Sequence, residues 1–233
     1  MQRLSVAFFF CIVLALCLLN SCSDRSLKPL FKNGGGATDL NGNTYKSIII
    51  DTLEWLSENL RTSTYANGEA IPNVSDATWG DIGQGAWCFY QNNSQFNDPY
   101  GKLYNWYAVA DGRKLCPSGW HVPSNYEWTL LQNYLGGGDV AGGKLKEIGT
   151  IHWASPNSGA SNLSGFTGLP GGDRRGATNS VFEVITTLGR HWSSTPINTN
   201  EAYGFDLSGG ATNLGKNQFN RSYGFSVRCV RDY

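Results

Sequence analysis

The sequence predicts an α+β domain, and three observations predict it. A β-branched hairpin opens the body, two helical patterns occupy its middle, and short β-like pieces between Gly, Asn and Ser turns fill the rest. Asn41-Gly42-Asn43 forms a turn ahead of the strand Thr44–Ile50, and Asp51-Thr52 folds the chain back into Leu53–Leu56. Ser57 to Asp81 is mostly loop, carrying Pro72 and Trp79, and leads to an apolar strand at Ala86–Tyr90. From Tyr100-Gly101, residues Leu103, Trp106, Tyr107 and Ala110 fall at i, i+3, i+4 and i+7, so a helix is expected up to Asp111-Gly112. The second helix is better marked. Ser124 and Glu127 form a capping box, Trp128, Leu131 and Leu135 line one face, and Gly136-Gly137-Gly138 stops it. A shorter helix is expected over Val140–Ile148. Strands are expected at Gly165–Leu169, Arg190–Thr195, Ala202–Leu207 and Tyr223–Val230, without a fixed-period repeat. In the last of these, Phe225, Val227 and Cys229 alternate with Ser226, Arg228 and Val230, which turns Cys229 to the core.

The chain has 233 residues, with 18 Lys+Arg against 18 Asp+Glu, and only 15% of it is charged, against about 25% in an average domain. A net charge of zero provides no electrostatic footprint for nucleic acid, so none is expected as a partner. The 8 Trp, 11 Tyr and 11 Phe supply the large apolar groups that disordered chains lack.

The N-terminal segment has a different character. Arg3 precedes 14 uninterrupted apolar residues, Val6–Leu19, and a spanning helix needs about 20. The run therefore suits a secretory signal. It ends in Leu19-Asn20-Ser21-Cys22, which resembles a bacterial lipobox and implies lipidation of Cys22; the alternative is ordinary signal cleavage beside an incidental cysteine. The expected organisation is a lipoprotein signal at 1–21, a flexible tether at 22–38 with Pro29 and Gly34-Gly35-Gly36, and a folded domain at 39–233. Such a protein would be held by its acyl chains in the cell envelope, at the outer membrane or cell surface.

Export changes the cysteine arithmetic. Cys11 and Cys17 leave with the signal and Cys22 becomes a thioether, so Cys88, Cys116 and Cys229 remain for one disulfide and one leftover thiol. Three pairings are open. Cys116 with Cys229 is the expected one, because each stands beside a strongly patterned segment and the link ties the domain's middle to its end. Cys88, inside an apolar run, is then expected as a buried inert thiol.

Six motifs occur in order: Trp55-Leu56-Ser57-Glu58-Asn59-Leu60-Arg61-Thr62, Tyr100-Gly101-Lys102-Leu103-Tyr104-Asn105-Trp106-Tyr107-Ala108-Val109, Leu115-Cys116-Pro117-Ser118-Gly119-Trp120-His121-Val122-Pro123, Gly165-Phe166-Thr167-Gly168-Leu169-Pro170-Gly171-Gly172, Trp192-Ser193-Ser194-Thr195 and Gly224-Phe225-Ser226-Val227-Arg228-Cys229-Val230-Arg231-Asp232. Together they resemble the Fibrobacter succinogenes major paralogous domain, common in exported Bacteroidetes lipoproteins, over about Asn41–Asp232. Val122-Pro123-Ser124, Glu127-Trp128 and the ending Gly224–Arg228 are more distantly similar to the formylglycine-generating enzyme group. That likeness implies a C-type-lectin-like fold, in which the first and last strands pair and long loops carry function. It implies no activity by itself.

The candidate chemistry is sparse. His121, His152 and His191 each neighbour aromatic or β-branched residues and lack a second ligand at i+3 or i+4, so packing or hydrogen bonding is expected and no metal or other cofactor. Trp192 is followed by Ser193-Ser194 where a lectin calcium site would have Asn-Asp. No Gly-x-Ser-x-Gly and no phosphate loop are present. An oxidase of the formylglycine-generating type would need two active cysteines, which a Cys116–Cys229 disulfide removes. Aromatic faces with planar amides are the recipe for sugar binding, although the framework tryptophans Trp55, Trp106, Trp120, Trp128 and Trp192 are expected in the core. Candidate ligand contacts are Arg174 and Arg175, which can bond a carboxylate or instead their own loop, and the tail-loop residues Asn198, Asn200, Glu201, Asn213 and Asn217, whose alternative is turn formation. The expected function is a non-catalytic, tethered module that binds a glycan or surface protein. A structural or adhesive subunit of a surface assembly is the alternative.

Overall fold

The structure, a computed structural model, describes residues 28–176 and 181–233. The expected signal segment 1–21 and Cys22 lie outside the described residues. The architecture is mixed α/β, built from several small antiparallel sheets and few helices. Strands β4 (Ser47–Ile50) and β5 (Leu53–Leu56) form the hairpin that the β-branched run predicts. The C-terminal β13 (Val230–Asp232) pairs antiparallel with β5, and β1 (Lys32–Asn33) pairs with β4, giving the order β1-β4-β5-β13. A meander of β10 (Leu188–Pro196), β11 (Glu201–Ser208) and β12 (Leu214–Asn220) forms the second sheet.

The tether expected through Thr38 is corrected from Leu30 onward. The Leu30 N–H donates to the Leu163 carbonyl at 2.8 Å, and Phe31 packs against the core. Next, β2 (Ala37–Thr38) pairs with β3 (Thr44–Tyr45). The glycine triplet between β1 and β2 is a close approach. A Cβ on Gly34 would stand 2.2 Å from Glu54 Oε1, and the N–H groups of Gly35 and Gly36 donate to Glu54 Oε1 and Ser47 Oγ at 2.9 and 2.7 Å. Flexibility and close packing call for the same residue, so the sequence alone misassigns the segment.

The helix expected from Tyr100 is corrected too. Leu103–Tyr104 is strand β7, paired with β6 (Trp87–Cys88), and only α1 (Trp106–Val109) is helical. Tyr104 exchanges backbone hydrogen bonds with Phe225 at 2.8 and 3.0 Å, and Asn105 caps α1 by accepting from the Ala108 N–H. Residues buried on every side satisfy strand and helix spacing alike. By contrast, α2 (Asn125–Tyr134) carries the expected Ser124–Glu127 capping box, and α3 (Gly138–Leu145) is shifted two residues toward the N-terminus from the expected helix start. The strand expected at Gly165–Leu169 is absent apart from a bridge between Lys146 and Gly168, and β12 is an addition.

Two large apolar clusters, with a smaller one around Trp79, Cys88 and Tyr90, hold these pieces. One gathers Trp106, Trp120, Trp192 and Phe225 around the Cys116–Cys229 disulfide, whose Cα atoms are 5.9 Å apart. The other packs Trp55, Trp128, Phe166 and Phe205, with the Trp128 and Phe205 rings stacked at 4.9 Å. All five framework tryptophans are buried, as expected. The leftover thiol of Cys88 is buried, which pushes its pKa up to about 12.

The final segment departs from simple alternation, since Phe225 to Val230 are all buried. Arg228 is fully enclosed. Its Nε donates to Asn59 Oδ1 at 2.7 Å, Nη1 donates to the Leu56 and Phe166 carbonyls at 3.0 and 2.8 Å, and Nη2 reaches the Thr167 carbonyl at 3.1 Å. Burial lowers its pKa to about 9, so it stays cationic at neutral pH.

Three outcomes are expected. Cys116→Ser with Cys229→Ser opens a loop of 113 residues and lowers unfolding stability in urea by about 5 kcal/mol; Cys88→Ser leaves non-reducing mobility unchanged. Arg228→Ala orphans three carbonyl oxygens and costs about 3 kcal/mol or more, and Arg228→Lys restores only part of it, since one ammonium cannot span the same acceptors. The third concerns His121, whose Nε2 lies 2.6 Å from Glu127 Oε1 and whose pKa is raised by that bond. A raised histidine contributes stability that is fully present below its unfolded pKa, about 6.5, and lost as pH rises through the folded value. Buried His191, whose pKa is lowered by burial and then by Arg228, acts in the opposite sense. His191 is common to both proteins, so the difference in stability between wild type and His121→Gln isolates His121. That difference should shrink as pH rises from mildly acidic to alkaline; a difference that grows would refute the assignment.

Candidate functional site

The sequence-predicted ligand residues do not converge. Arg174, on β8 (Asp173–Arg174), is buried. Its Nη1 and Nη2 donate to the Val74 and Asp76 carbonyls at 2.6 Å each, with the guanidinium over the Trp79 and Phe182 rings. It therefore binds its own framework and cannot meet a surface ligand. Arg175 is exposed and pairs with Glu183 of β9 (Phe182–Glu183) at 2.6 Å. Asn198 is a turn former: its Oδ1 accepts from the Asn200 and Glu201 N–H groups at 2.8 and 2.9 Å, and its Nδ2 donates to Glu201 Oε2 at 2.7 Å. Asn217 Nδ2 donates to Asp206 Oδ2 at 2.6 Å. Asn213 lies in the opposite turn, past β11 and against α3, where a Cβ on Gly142 would come 2.1 Å from its carbonyl oxygen. The length of β11 separates the two turns.

A polar cleft is assembled elsewhere, from residues far apart in the chain. Thr44, Tyr45, Lys46, Glu58, Arg61, Asn97 and Asp98 line an open volume of about 600 Å³. The β3–β4 junction supplies the first three, and the chain leaving β5 supplies Glu58 and Arg61. Asn97 and Asp98 arrive on the single helical turn Asn97–Tyr100. Gly101 lets that turn lie against the chain leaving β5. It has φ +76°, and a Cβ there would stand 2.9 Å from both Asn59 Cβ and the Leu60 carbonyl oxygen. Asn59 Nδ2 then fastens the turn through the Tyr100 carbonyl at 2.8 Å.

Part of the cleft is fixed in place. Arg61 Nη1 meets Glu58 Oε2 at 2.7 Å, Nη2 donates to the Thr44 carbonyl at 2.7 Å, and the guanidinium lies 4.7 Å over the Tyr45 ring. Burial works against the Glu58 charge. Even so, the Lys46 N–H and the Arg61 bond hold its carboxyl below the ordinary range. Tyr45 is anchored from behind through its hydroxyl, which donates to Asp39 Oδ2 at 2.6 Å. The rest of the cleft is available through Lys46 and Asp98, which are exposed and form no ion pair among the described residues; Asn97 Oδ1 is buried and has no hydrogen-bond partner there. A balanced set of carboxylate, ammonium and amide groups beside a fixed guanidinium can exchange hydrogen bonds with a hydroxylated ligand.

The histidines lie outside this cleft. His152 Nδ1 bonds both Glu147 oxygens, at 3.0 and 2.8 Å, with the Tyr100 ring edge-on at 5.7 Å. Fully buried His191 sits 3.2 Å from Asn59 Oδ1. Among the described residues, no three His, Cys, Asp or Glu side chains gather as a metal-holding group. The Glu58–Arg61 spacing within one motif was the only signal of the cleft in the sequence; its approach to Asn97 and Asp98 is a product of tertiary folding.

No curated protein and no solved structure matches the chain. The family model described as the Fibrobacter succinogenes major domain matches residues 48–231. That span takes in β5, nearly all of β4, the disulfide and most of the buried core, and the chain belongs to the Fibrobacter succinogenes major domain family.

Proposed function

We propose that this protein is a non-catalytic binding module, tethered through Cys22 to the cell envelope, that recognises a surface glycan through the cleft at Arg61 and Asp98. The observation that carries the reading is the division of labour in the cleft: Glu58, Arg61 and Tyr45 hold one another, while Lys46 and Asp98 are exposed and have no ion pair among the described residues. Preorganised polar groups next to free ones favour a ligand rich in hydroxyls, because little ordering is left to do on binding. A C-type-lectin-like arrangement is part of the proposal. The return of the C-terminal β13 to the sheet of the opening β4–β5 hairpin supports it, as do the long loops between short strands.

A structural or adhesive role in a surface assembly is the second reading, favoured by Ile148 and Ile151, which are 62% and 85% exposed on one loop. Oxidase chemistry of the formylglycine-generating type is disfavoured. Two of the three thiols are joined, and burial suppresses ionisation of the third.

The test is a glycan array probed with the detergent-purified full chain. Binding to a defined subset of glycans is expected. Asp98→Ala should weaken it about tenfold, the loss of one charge-assisted hydrogen bond, with unchanged thermal stability. Silence across the array, or binding indifferent to Asp98→Ala and Asn97→Ala together, would remove the glycan reading. Co-purification of envelope proteins after crosslinking, lost in Ile151→Asp, would favour the adhesive one.

A further inference from the structure

The first described residues enter the fold beside a second groove. Pro29, Leu30, Phe31, Lys32, Ile49 and Asp51, with Tyr134 and Tyr233, line an open volume of about 310 Å³. Both tyrosines stand at the surface, 46% and 72% exposed, although one closes α2 and the other ends the chain. Tyr233 is held there by its N–H, which donates to the Thr52 carbonyl at 3.0 Å. Lys28 and Lys32 are exposed alongside. Rings carrying a hydroxyl, flanked by lysines, are the side chains that favour the boundary between hydrocarbon and water.

Chain length says what this face meets. Only five residues lie between Cys22 and Lys28, a reach of at most about 22 Å when fully extended. The tether expected to run to Thr38 is therefore short, because pairing begins with β1. An acylated Cys22 would keep the entry point, and the groove beside it, within one short stretch of chain of the headgroups. The glycan cleft ends at Lys46 and the groove starts at Ile49, toward opposite ends of β4 and about 10 Å apart along the strand.

We propose that the face formed by Pro29–Lys32, the Asp51-Thr52 turn, Tyr134 and Tyr233 rests on the lipid headgroups of the anchoring membrane, which orients the Lys46–Asp98 cleft away from it. The inference rests on the lipid-anchor reading. It goes further in assigning one face of the domain to the bilayer and in fixing which way the opposite end points. Binding is carried by the acyl chains, and the face sets orientation. Two tyrosines and two lysines add little affinity on their own, but they restrict tumbling of a body already held nearby.

The experiment uses the full chain, purified with its anchor and reconstituted into vesicles of phosphatidylethanolamine and phosphatidylglycerol. Tyr233→Cys and, separately, Asp98→Cys are labelled with a polarity-sensitive fluorophore; Cys88 is buried and stays unlabelled under native conditions. At position 233 the emission should shift to the blue and be lost when headgroup-proximal nitroxide lipids are included. At position 98 it should remain that of water. Equal exposure of both labels on a vesicle-bound chain whose mass includes the acyl groups would overturn the assigned face and leave the anchor intact. A chain of unacylated mass that fails to float with vesicles would overturn the anchor and the face together. A label at 98 quenched in place of 233 would reverse the orientation and refute the proposal. As a second reading of the same face, Tyr134→Ser with Tyr233→Ser should leave flotation unchanged and increase the rotational freedom of the label at 98; unchanged anisotropy would count against it.

Discussion

The enclosed guanidinium of Arg228 is the constraint on which the rest of the structure depends. It is buried, with no carboxylate in direct contact among the described residues. Its donors go to three backbone carbonyls and the Asn59 side chain, and its plane lies 4.1 Å from the Phe166 ring. Through those bonds one side chain of the C-terminal segment joins the end of β5 to the loop at Phe166-Thr167. Asn59 extends the connection, reaching the Tyr100 carbonyl, Ser226 Oγ and His191. The turn that delivers Asn97 and Asp98 to the cleft is thus fastened to the same hub as the chain's end. Desolvating a cation is costly, and here the return is geometric: several loops are fixed by one planar, five-donor group.

The same device recurs across the molecule, and it explains a composition that first looks only poor in charge. A fold of short strands and long loops leaves many carbonyl oxygens without ladder partners, and buried ones must find donors. Lys146 is fully buried and gives its ammonium to the Ser158, Ser208 and Ala211 carbonyls at 2.7–2.8 Å. Arg174 serves Val74 and Asp76 in the same way. Lys102 reaches the Arg61 carbonyl under the Trp87 ring, 4.5 Å from its centroid. Burial pulls both lysines down to about 8, against ordinary values above 10. Cations that would normally solvate a surface are used inside as clamps for irregular backbone. Aromatic faces lie over them and exclude water while still attracting positive charge.

This use of charge also marks the limit of what the sequence discloses. The β4–β5 hairpin, the capping box of α2 and the burial of the framework tryptophans follow from local pattern, and the structure has all of them. The disulfide follows from counting thiols, plus a choice among pairings that patterned flanks make possible. What local pattern misses is tertiary. Leu103 and Trp106 share helical spacing, but Tyr104 pairs with Phe225, more than a hundred residues away, and that pairing wins. The Gly34–Gly36 triplet has the composition of a linker and the function of a spacer between backbone and a buried carboxylate. Arg174 has the sequence context of an exposed loop. Its burial depends on carbonyls about a hundred residues earlier, and no window along the chain contains them.

The cleft illustrates why a binding surface on such a scaffold escapes detection from pattern alone. Its fixed half, Glu58 and Arg61, lies within one motif, and the i,i+3 spacing is visible. Its other half depends on whether the turn at Asn97 is brought alongside. That placement requires a backbone at Gly101 with no side chain, a carbonyl at Tyr100 within reach of Asn59, and Asn59 held in turn by Arg228. Each link is a structural residue doing framework work, so a change of ligand preference need not disturb it. Exposed positions such as Lys46 and Asp98 carry few structural obligations by comparison: neither has an ion pair among the described residues, and neither is buried. A family built this way can hold its loops with internal cations and aromatic packing while the groups facing the ligand change freely. The scaffold then identifies the family, and specificity rests with a few exposed side chains around one cleft.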